Sequence, residues 1–509
     1  MRRSDLAGRV TLVTGGGGGI GAAVAEELGR LGSAVVVLDA GVALDGQSPG
    51  EPTAAATAAR IVAAGGRAVA ETTSVTDAAG VQDAVARTVR DLGGLDQVVE
   101  AAGIVRGGTL ADATVDDWAA TFGVHLGGHI AVATAAVPVM AAAGHGRLLH
   151  VTSGAGLARV AAESPVYGCA KRAVAGLTWR LAAAAPPGVT VNALSPIAAT
   201  RMVAAPRAPA GGYQLDFGAM PAPAALAPVV AALCGPDAGW LHGRIVFTNG
   251  SELTLVDGPR LVEAIDGSAF GAPADLDAAL VRTVVAAHAV QRTTGGAMPR
   301  LTGIEPAPPV RARVLVAAGD ADLALTLRAA SFDIVEAPMA AADSAALAGV
   351  DALVVRSVAG SVASGGEPWE RVLEEHRRVT ATVLEHAAWA RAAAAHPRVR
   401  VVHLVDAATG GGDTAAQAVA QLARAVPGIA SSVAVGADAP PPVVAALAAV
   451  LAAGAAGAEL SGAELQVAGQ WIGLRAHPEA TVTFTFDGPA PPSTLLNALR
   501  EAVLPSTGA

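Results

Sequence analysis

At 509 residues, 52% hydrophobic but only 3% aromatic, the chain is too long for one ordinary core and must pack two or more domains from alanine, valine and leucine. A net charge of -10 and a pI near 5.6 leave no basic surface for nucleic acid. Cys169 and Cys234 supply neither a disulfide framework nor a metal cluster, so an acidic protein of the reducing cytoplasm, without bound metal, is expected.

The amino end, MRRSDLAGRVTLVTG, passes from a few polar residues straight into a strand and lacks the apolar core of a signal peptide. Up to about residue 250, apolar runs alternate with amphipathic stretches. VTLVTG, AVVVLDA, AVAETTS, DQVVEAAG, RLLHVTS, VTVNALS and RIVFTNG have the character of parallel strands covered on both faces. With helices as crossovers they form a doubly wound α/β sheet, the architecture that binds dinucleotides beyond its strand ends.

The first crossover opens on TGGGGGIG, Thr14 to Gly21. Gly15, Gly19 and Gly21 allow a tight turn and let backbone approach a pyrophosphate seated at a helix N-terminus. Asp39 closes the second strand, where a carboxylate can accept from both hydroxyls of an adenosine ribose and repels a 2′-phosphate. No Arg or Lys follows it closely, so NAD is preferred to NADP. Farther along, VYGCAKRAV carries Lys171, the sole lysine of a chain that otherwise writes its strong cations as arginine.

TGGGGGIG, AAG at Ala101 to Gly103, and YGCAK with Tyr167 and Lys171 resemble the classical short-chain dehydrogenase/reductase family over roughly the first half of the chain. VVVLDAGVALDG, the pair Ser74 and Val75, DDWAATFGVHLGGH and SPIAATRM are similar to the dehydrogenase unit of the multifunctional 3-hydroxyacyl-CoA enzymes. The resemblance implies cofactor contacts from Gly15, Gly19, Ile20, Gly21, Asp39, Ser74, Val75, Ala102, Gly103, Lys171, Pro196, Ile197 and Thr200. It also implies that Tyr167 exchanges a proton with the substrate oxygen, that Ser153 hydrogen-bonds this oxygen, and that Lys171 lowers the phenol pKa. Bringing a phenol down three units from about 10 takes about 4 kcal/mol of preferential phenolate stabilisation. A compact ammonium one helical turn away can supply it and keep donors for the nicotinamide ribose, a role that a planar guanidinium does not fit.

Three features depart from the family pattern. Glu100 stands where Asn-Asn-Ala-Gly begins, which removes amides that brace the cofactor pocket. Ser153 lies a little further from Tyr167 than usual, so the loop ARVAAESP is expected to bulge. His125 occupies the place of a helix Asn that feeds a proton relay, and is either part of such a relay or a structural histidine.

After Val256, GPRLVEAIDGSAFGAPADLDAALVRTVVAAHAV reads as extra helices and TGGAMPRLTGIEPAPPV as a linker. RARVLVAAG, FDIVEAP, DALVVRS, RVRVVHLVD, SSVAVG and LQVAGQWIGL resume the alternation. GRLLHVTSGAG parallels VRVVHLVDAAT, and LHGRIVFTNGSELTL parallels LSGAELQVAGQWIGL, as an internal duplication would. The apolar stretch Val443 to Ala458 is too short to span a bilayer and reads as a buried helix. Aligning AVAGL with AVAQL sets Gly412 opposite Tyr167 and Ala416 opposite Lys171, while Asp406 faces Ser153 and Gly319 stands alone where a glycine loop would be.

The expected organisation is a tandem of Rossmann sheets of the short-chain dehydrogenase type. Residues 1–262 form a catalytic NAD-binding domain, 263–310 a helical extension and linker, and 311–509 a degenerate copy without an active site. The expected activity is NAD-dependent interconversion of a secondary alcohol and a ketone, with a 3-hydroxyacyl or 3-ketoacyl thioester, or a polyketide-like compound, as substrate. Redox-neutral epimerisation or cyclisation with bound NAD, and a non-catalytic NAD-sensing scaffold, are the alternatives. No nucleic-acid or membrane partner is expected. Helices within Trp369 to Ala393 and Thr414 to Val426 are expected to dock on the first half as an intramolecular pseudo-dimer, with further homo-oligomerisation left open.

Overall fold

The computed structural model describes residues 6–46, 48, 53–158, 164–200, 220–291, 312–317, 321–357, 365–486 and 492–504. The expected linker after residue 291, Gly319, and the centre of the loop between Ser153 and Tyr167 lie outside the described residues.

The first sheet has nine strands in the order β17-β8-β7-β6-β5-β4-β1-β2-β3. Its strands are β1 (Val10–Thr14), β2 (Ala34–Leu38), β3 (Arg67–Glu71), β4 (Gln97–Glu100), β5 (Gly146–Val151), β6 (Val189–Pro196), β7 (Ile245–Thr248), β8 (Glu252–Asp257) and, from the far end of the chain, β17 (Glu479–Thr485). The runs VTLVT and AVVVL are buried along their whole length because helices cover both faces. Those helices are α1 (Gly19–Arg30), α2 (Thr53–Ala63), α3 (Ala78–Leu92), α4 (Val115–Phe122), α5 (Gly128–Ala143), the short α6 (Gly154–Leu157), and α7 (Pro165–Ala184). The strand order reverses between β1 and β4, and this opens a crevice at their C-terminal ends.

The second sheet has eight strands in the order β11-β10-β12-β13-β14-β15-β16-β9. They are β9 (Leu261–Asp266), β10 (Arg313–Ala317), β11 (Asp333–Ala337), β12 (Ala352–Arg356), β13 (Arg400–Asp406), β14 (Ala430–Val435), β15 (Glu464–Ala468) and β16 (Trp471–Arg475). LQVAGQWIGL is therefore a hairpin, folded at Gly469 with φ 51°, and not one strand. The apolar stretch from Val443 forms the buried helix Pro441–Ala453, which ends at Gly454.

The two halves exchange strands reciprocally. β8 runs on into β9, which pairs antiparallel with β16 of the other sheet; β16 runs on into β17, which pairs antiparallel with β8. A helix follows each exchanged strand across. Pro273–Leu280 packs on Pro441–Ala453, and both carboxylate oxygens of Asp277 accept from the Ala455 and Ala456 amides. Pro492–Val503 packs on Pro223–Cys234, adding Leu495, Leu496 and Leu499 to the core of the first half. Residue 262 thus lies inside β9, and the stretch expected to be a purely helical extension begins as a strand of the second sheet.

One continuous core joins the halves, with Val166, Cys169, Ala173 and Leu177 of α7 beside Ala415, Val419 and Leu422 of the helix Gly410–Ala423. The two helices cross closely: a Cβ on Gly176 would lie 2.7 Å from Thr414 Cγ2. Around this contact Arg172 donates through Nη2 to both oxygens of Glu464, at 2.9 and 2.8 Å, and Arg424 donates to Glu464 at 3.0 Å. Burial alone would raise the Glu464 pKa, but Arg172, His477 and Arg424 together hold it well below the carboxylate range.

A chain ending at Ile304 loses β17, its following helix and the cover of α7, so it should aggregate or self-associate in light scattering; a soluble, fully active monomer would contradict this packing. Gly176→Ala should destabilise the protein by about 1–3 kcal/mol in denaturant titration, despite alanine's better helix propensity, because the new methyl meets Thr414.

Candidate active site

The expected site residues gather along the C-terminal edge of the first sheet. Gly15 has φ 65° and Gly19 φ 52°, conformations that favour glycine. A Cβ at Gly15 would lie 2.7 Å from Ala102 N and Cα, and one at Gly21 would lie 2.2 Å from Gly15 O. The loop is therefore a cradle of bare backbone leaning on the end of β4. Helix α1 begins after Gly18 with no side chain capping its amides, which suits an anion at that end. Asp39 holds the loop from β2: its carboxylate accepts from Gly17 N at 3.0 Å and from Gly41 N at 2.8 Å.

The remaining expected cofactor residues line the same crevice or support it. Ile20 is half-buried against the core, and Thr200 faces Gly19. Ser74 bonds within its own turn to Thr76, while Val75 is buried where a Cβ on Gly128 would touch it at 2.8 Å. Ala102 N donates to Thr14 Oγ1 at 3.3 Å, Gly103 follows at partial exposure, and Ile197, after Pro196, donates to Thr248 O at 2.9 Å. These residues fit a dinucleotide, whose pyrophosphate needs a loop of bare backbone such as the one Gly15 and Gly21 form here.

Helix α7 starts at Pro165 with Ser164 accepting from Tyr167 N, so Tyr167 lies in its first turn and Lys171 one turn later on the same face. Lys171 Nζ lies 5.6 Å from the Tyr167 ring centre and donates to Val151 O at 2.6 Å. The Lys171 backbone is fixed too: its carbonyl accepts from Thr152 Oγ1 at 2.7 Å, and Gly156 of α6 lies so close that a Cβ there would be 2.6 Å from Lys171 C. Burial pulls the Lys171 pKa down to about 7, with Glu100 opposing the fall.

His125 sits in a π-helical turn, Gly123–Gly127, between α4 and α5, with its ring edge-on to Tyr167 at 5.3 Å. Its Nε2 contacts Ile104 O at 2.9 Å, and burial lowers its pKa well below the histidine range. Ser153 caps α6, its Oγ accepting from Ala155 N at 3.2 Å. Tyr167, Lys171 and His125 are thus brought together, and Ser153 lies at the end of the neighbouring β5.

Sequence reasoning took Glu100 only for a lost asparagine and passed over His129 and His150. All three are buried side by side behind Lys171. The signal available was an acid ending the apolar run QVVE and a histidine set inside the apolar run LLHV.

In the second half, a Cβ at Gly412 would lie 2.4 Å from Asp406 O, so no side chain fits where α7 carries Tyr167. Asp406 accepts from Ala408 N as Ser153 does from Ala155 N.

A family model described as short chain dehydrogenase matches residues 9–209. A short-chain type dehydrogenase/reductase of Mycobacterium tuberculosis is 38% identical over 227 residues, covering 44% of this chain and 77% of that protein. The short-chain reductase protein NovJ of Streptomyces niveus is 37% identical over 253 residues, covering 47% of this chain and 92% of its own. The hydroxyacyl-CoA dehydrogenase ChsB1 of M. tuberculosis is 34% identical over 293 residues, covering 54% of this chain and 89% of its own.

Gly21→Ala should weaken dinucleotide binding at least tenfold by calorimetry, because its methyl would displace the Gly15 carbonyl and open the cradle. Unchanged affinity would place the ligand elsewhere.

Proposed function

Because the chain belongs to the short-chain dehydrogenase/reductase family, we propose that its first half interconverts a secondary alcohol and a ketone with NAD(H), on a 3-hydroxyacyl or 3-ketoacyl thioester or a related polyketide-like substrate. The observation that carries this reading is the stacking of Tyr167 and Lys171 on one face of α7, beside a glycine cradle that only backbone can form.

NAD, when bound, takes or gives the hydride. The chain's own work is proton handling and orientation. In the oxidative direction Tyr167 as phenolate accepts the substrate hydroxyl proton; in the reductive direction the phenol returns it. The buried Lys171 ammonium, 5.6 Å from the Tyr167 ring centre, favours the phenolate through its charge. Ser153 Oγ, already accepting from Ala155, has its proton to donate to the substrate oxygen. Asp39 favours NAD over NADP, since its carboxylate repels a 2′-phosphate and its outer lone pairs suit ribose hydroxyls. The acyl-thioester preference is supported by similarity to the hydroxyacyl-CoA dehydrogenase ChsB1. The second half serves as the built-in partner of α7 and carries no chemistry of its own.

NADH absorbance on a panel of secondary alcohols and 3-hydroxyacyl thioesters tests the activity; no NADH from any of them would count against it. Tyr167→Phe and Lys171→Arg should each lower turnover by about 10²–10⁴-fold with the fold intact. NAD should bind at least about tenfold more tightly than NADP, and Asp39→Ala should narrow that gap.

A further inference from the structure

Glu100 ends β4 at 1% exposure, and among the described residues its Oε1 has no hydrogen-bond partner. Each element around it presents a different group. β1 offers Thr14 as its ladder neighbour, which does not titrate. β5 offers His150, with Nε2 3.6 Å from Glu100 Oε1, and α5 offers His129, with Nδ1 3.7 Å from Oε2. α7 offers Lys171, whose Nζ donates to Val151 O, the residue after the His150 that pairs with Glu100, while His125 of the π-helical turn reaches only His129 of this group, through its backbone.

The imidazoles do not balance the carboxylate. Burial lowers His150 to about 3 and holds His125 and His129 well below the histidine range, so all three are neutral at physiological pH. Among the described residues Lys171 is the cation left to face Glu100. Burial pushes the Glu100 acid up and the Lys171 amine down, and each opposes the other's shift.

The second half supplies an internal control. In the first sheet Glu100 pairs in register with His150; in the second, Val355 pairs in register with His403. His403 retains a histidine neighbour, with His386 Nδ1 3.0 Å from His403 Nδ1 and the rings 5.1 Å apart, as are those of His129 and His150. Buried histidine pairs therefore belong to the architecture of both halves. The acid is present where α7 carries Lys171 and absent where the matching helix carries Ala416.

We infer that Glu100 is a positioning residue that acts through Lys171, its buried carboxylate holding the ε-amino group as the ammonium on which the Tyr167 phenolate depends. This rests on the oxidoreductase reading of the same site. The asparagine expected at this position could brace the strand but could not carry the charge. A lysine sealed from water loses its proton near or below neutrality unless an anion is sealed in with it.

Lys171 is the sole lysine of the chain, so protein labelled with ¹³Cε,¹⁵Nζ-lysine gives one side-chain resonance, and its pH titration reads Lys171 in the intact chain without any turnover. In Glu100→Gln the midpoint should fall by at least one pH unit, a tenfold smaller ammonium share above it; in Glu100→Asp it should stay near that of the unsubstituted protein. The alkaline limb of the kcat/KM profile for alcohol oxidation should move to lower pH with it in Glu100→Gln and be rescued in Glu100→Asp. A purely packing role ranks the variants in reverse, since Gln keeps the shape and Asp leaves a gap. A midpoint unchanged in Glu100→Gln, or an Asp variant no better than Gln, overturns the inference. So does an unsubstituted protein whose Lys171 is already neutral at about pH 6, a result that needs no variant to fold. A lysine midpoint that moves as expected in a protein with no turnover on any alcohol would instead remove the oxidoreductase reading and leave the Glu100–Lys171 pairing in place.

Discussion

Helix α7 is enclosed on both sides at once, and the rest of the molecule follows from that constraint. One face must present Tyr167 and Lys171 to the crevice at the strand ends, and the opposite face is a run of Cys169, Ala173, Gly176 and Leu177 that has to be kept from water. The helix Gly410–Ala423 provides that cover, seated tightly enough that Gly176 has no room for a methyl. Arg172, the neighbour of Lys171, is in turn locked to Glu464 of the second sheet. A charge buried this deeply is tolerated only with its partner in place, so the lysine-bearing turn and the second half are mechanically tied.

The parts that were legible in the sequence are those whose chemistry is local. The glycine loop is such a case, because a strand, a tight turn and a helix start lie within Thr14 to Gly21, and the same holds for the spacing of Tyr167 and Lys171 on one helical face. Asp39 was legible as a strand-end carboxylate, although the sequence did not reveal that it also holds the glycine loop through Gly17. The strand exchange was not legible. EATVTFT has the alternation of a half-exposed strand, but its partner is β8, more than two hundred positions earlier, and no local pattern names a partner at that distance. Glu100 was misjudged for a related reason: read alone it is a missing amide, and its meaning comes from His129, His150 and Lys171, which reach it from three other elements.

The second half repeats the sheet pattern of the first, with different residues at the positions that match Tyr167 and Lys171. Gly412 seats its helix against the Asp406 carbonyl, closing the place where a tyrosine would stand. Trp369 and His376 repeat the spacing of Trp118 and His125, and His403 repeats the strand position of His150. His376 now bonds Thr414 on the helix that covers α7, so a residue type found at the site of one half has become part of the packing of the other.

The exchanged strands also impose a schedule on synthesis. β8 leaves the ribosome long before β17, and at about 5–20 residues per second the roughly 220 residues between them take on the order of 10–45 s. Throughout that interval the first sheet has an open edge, and until the helix Gly410–Ala423 emerges α7 has an uncovered apolar face, even though every residue of the glycine cradle has already emerged. The nascent chain must therefore wait in a partly folded form, and chaperones that shield apolar surface would have their longest engagement with this half, the one that carries the site.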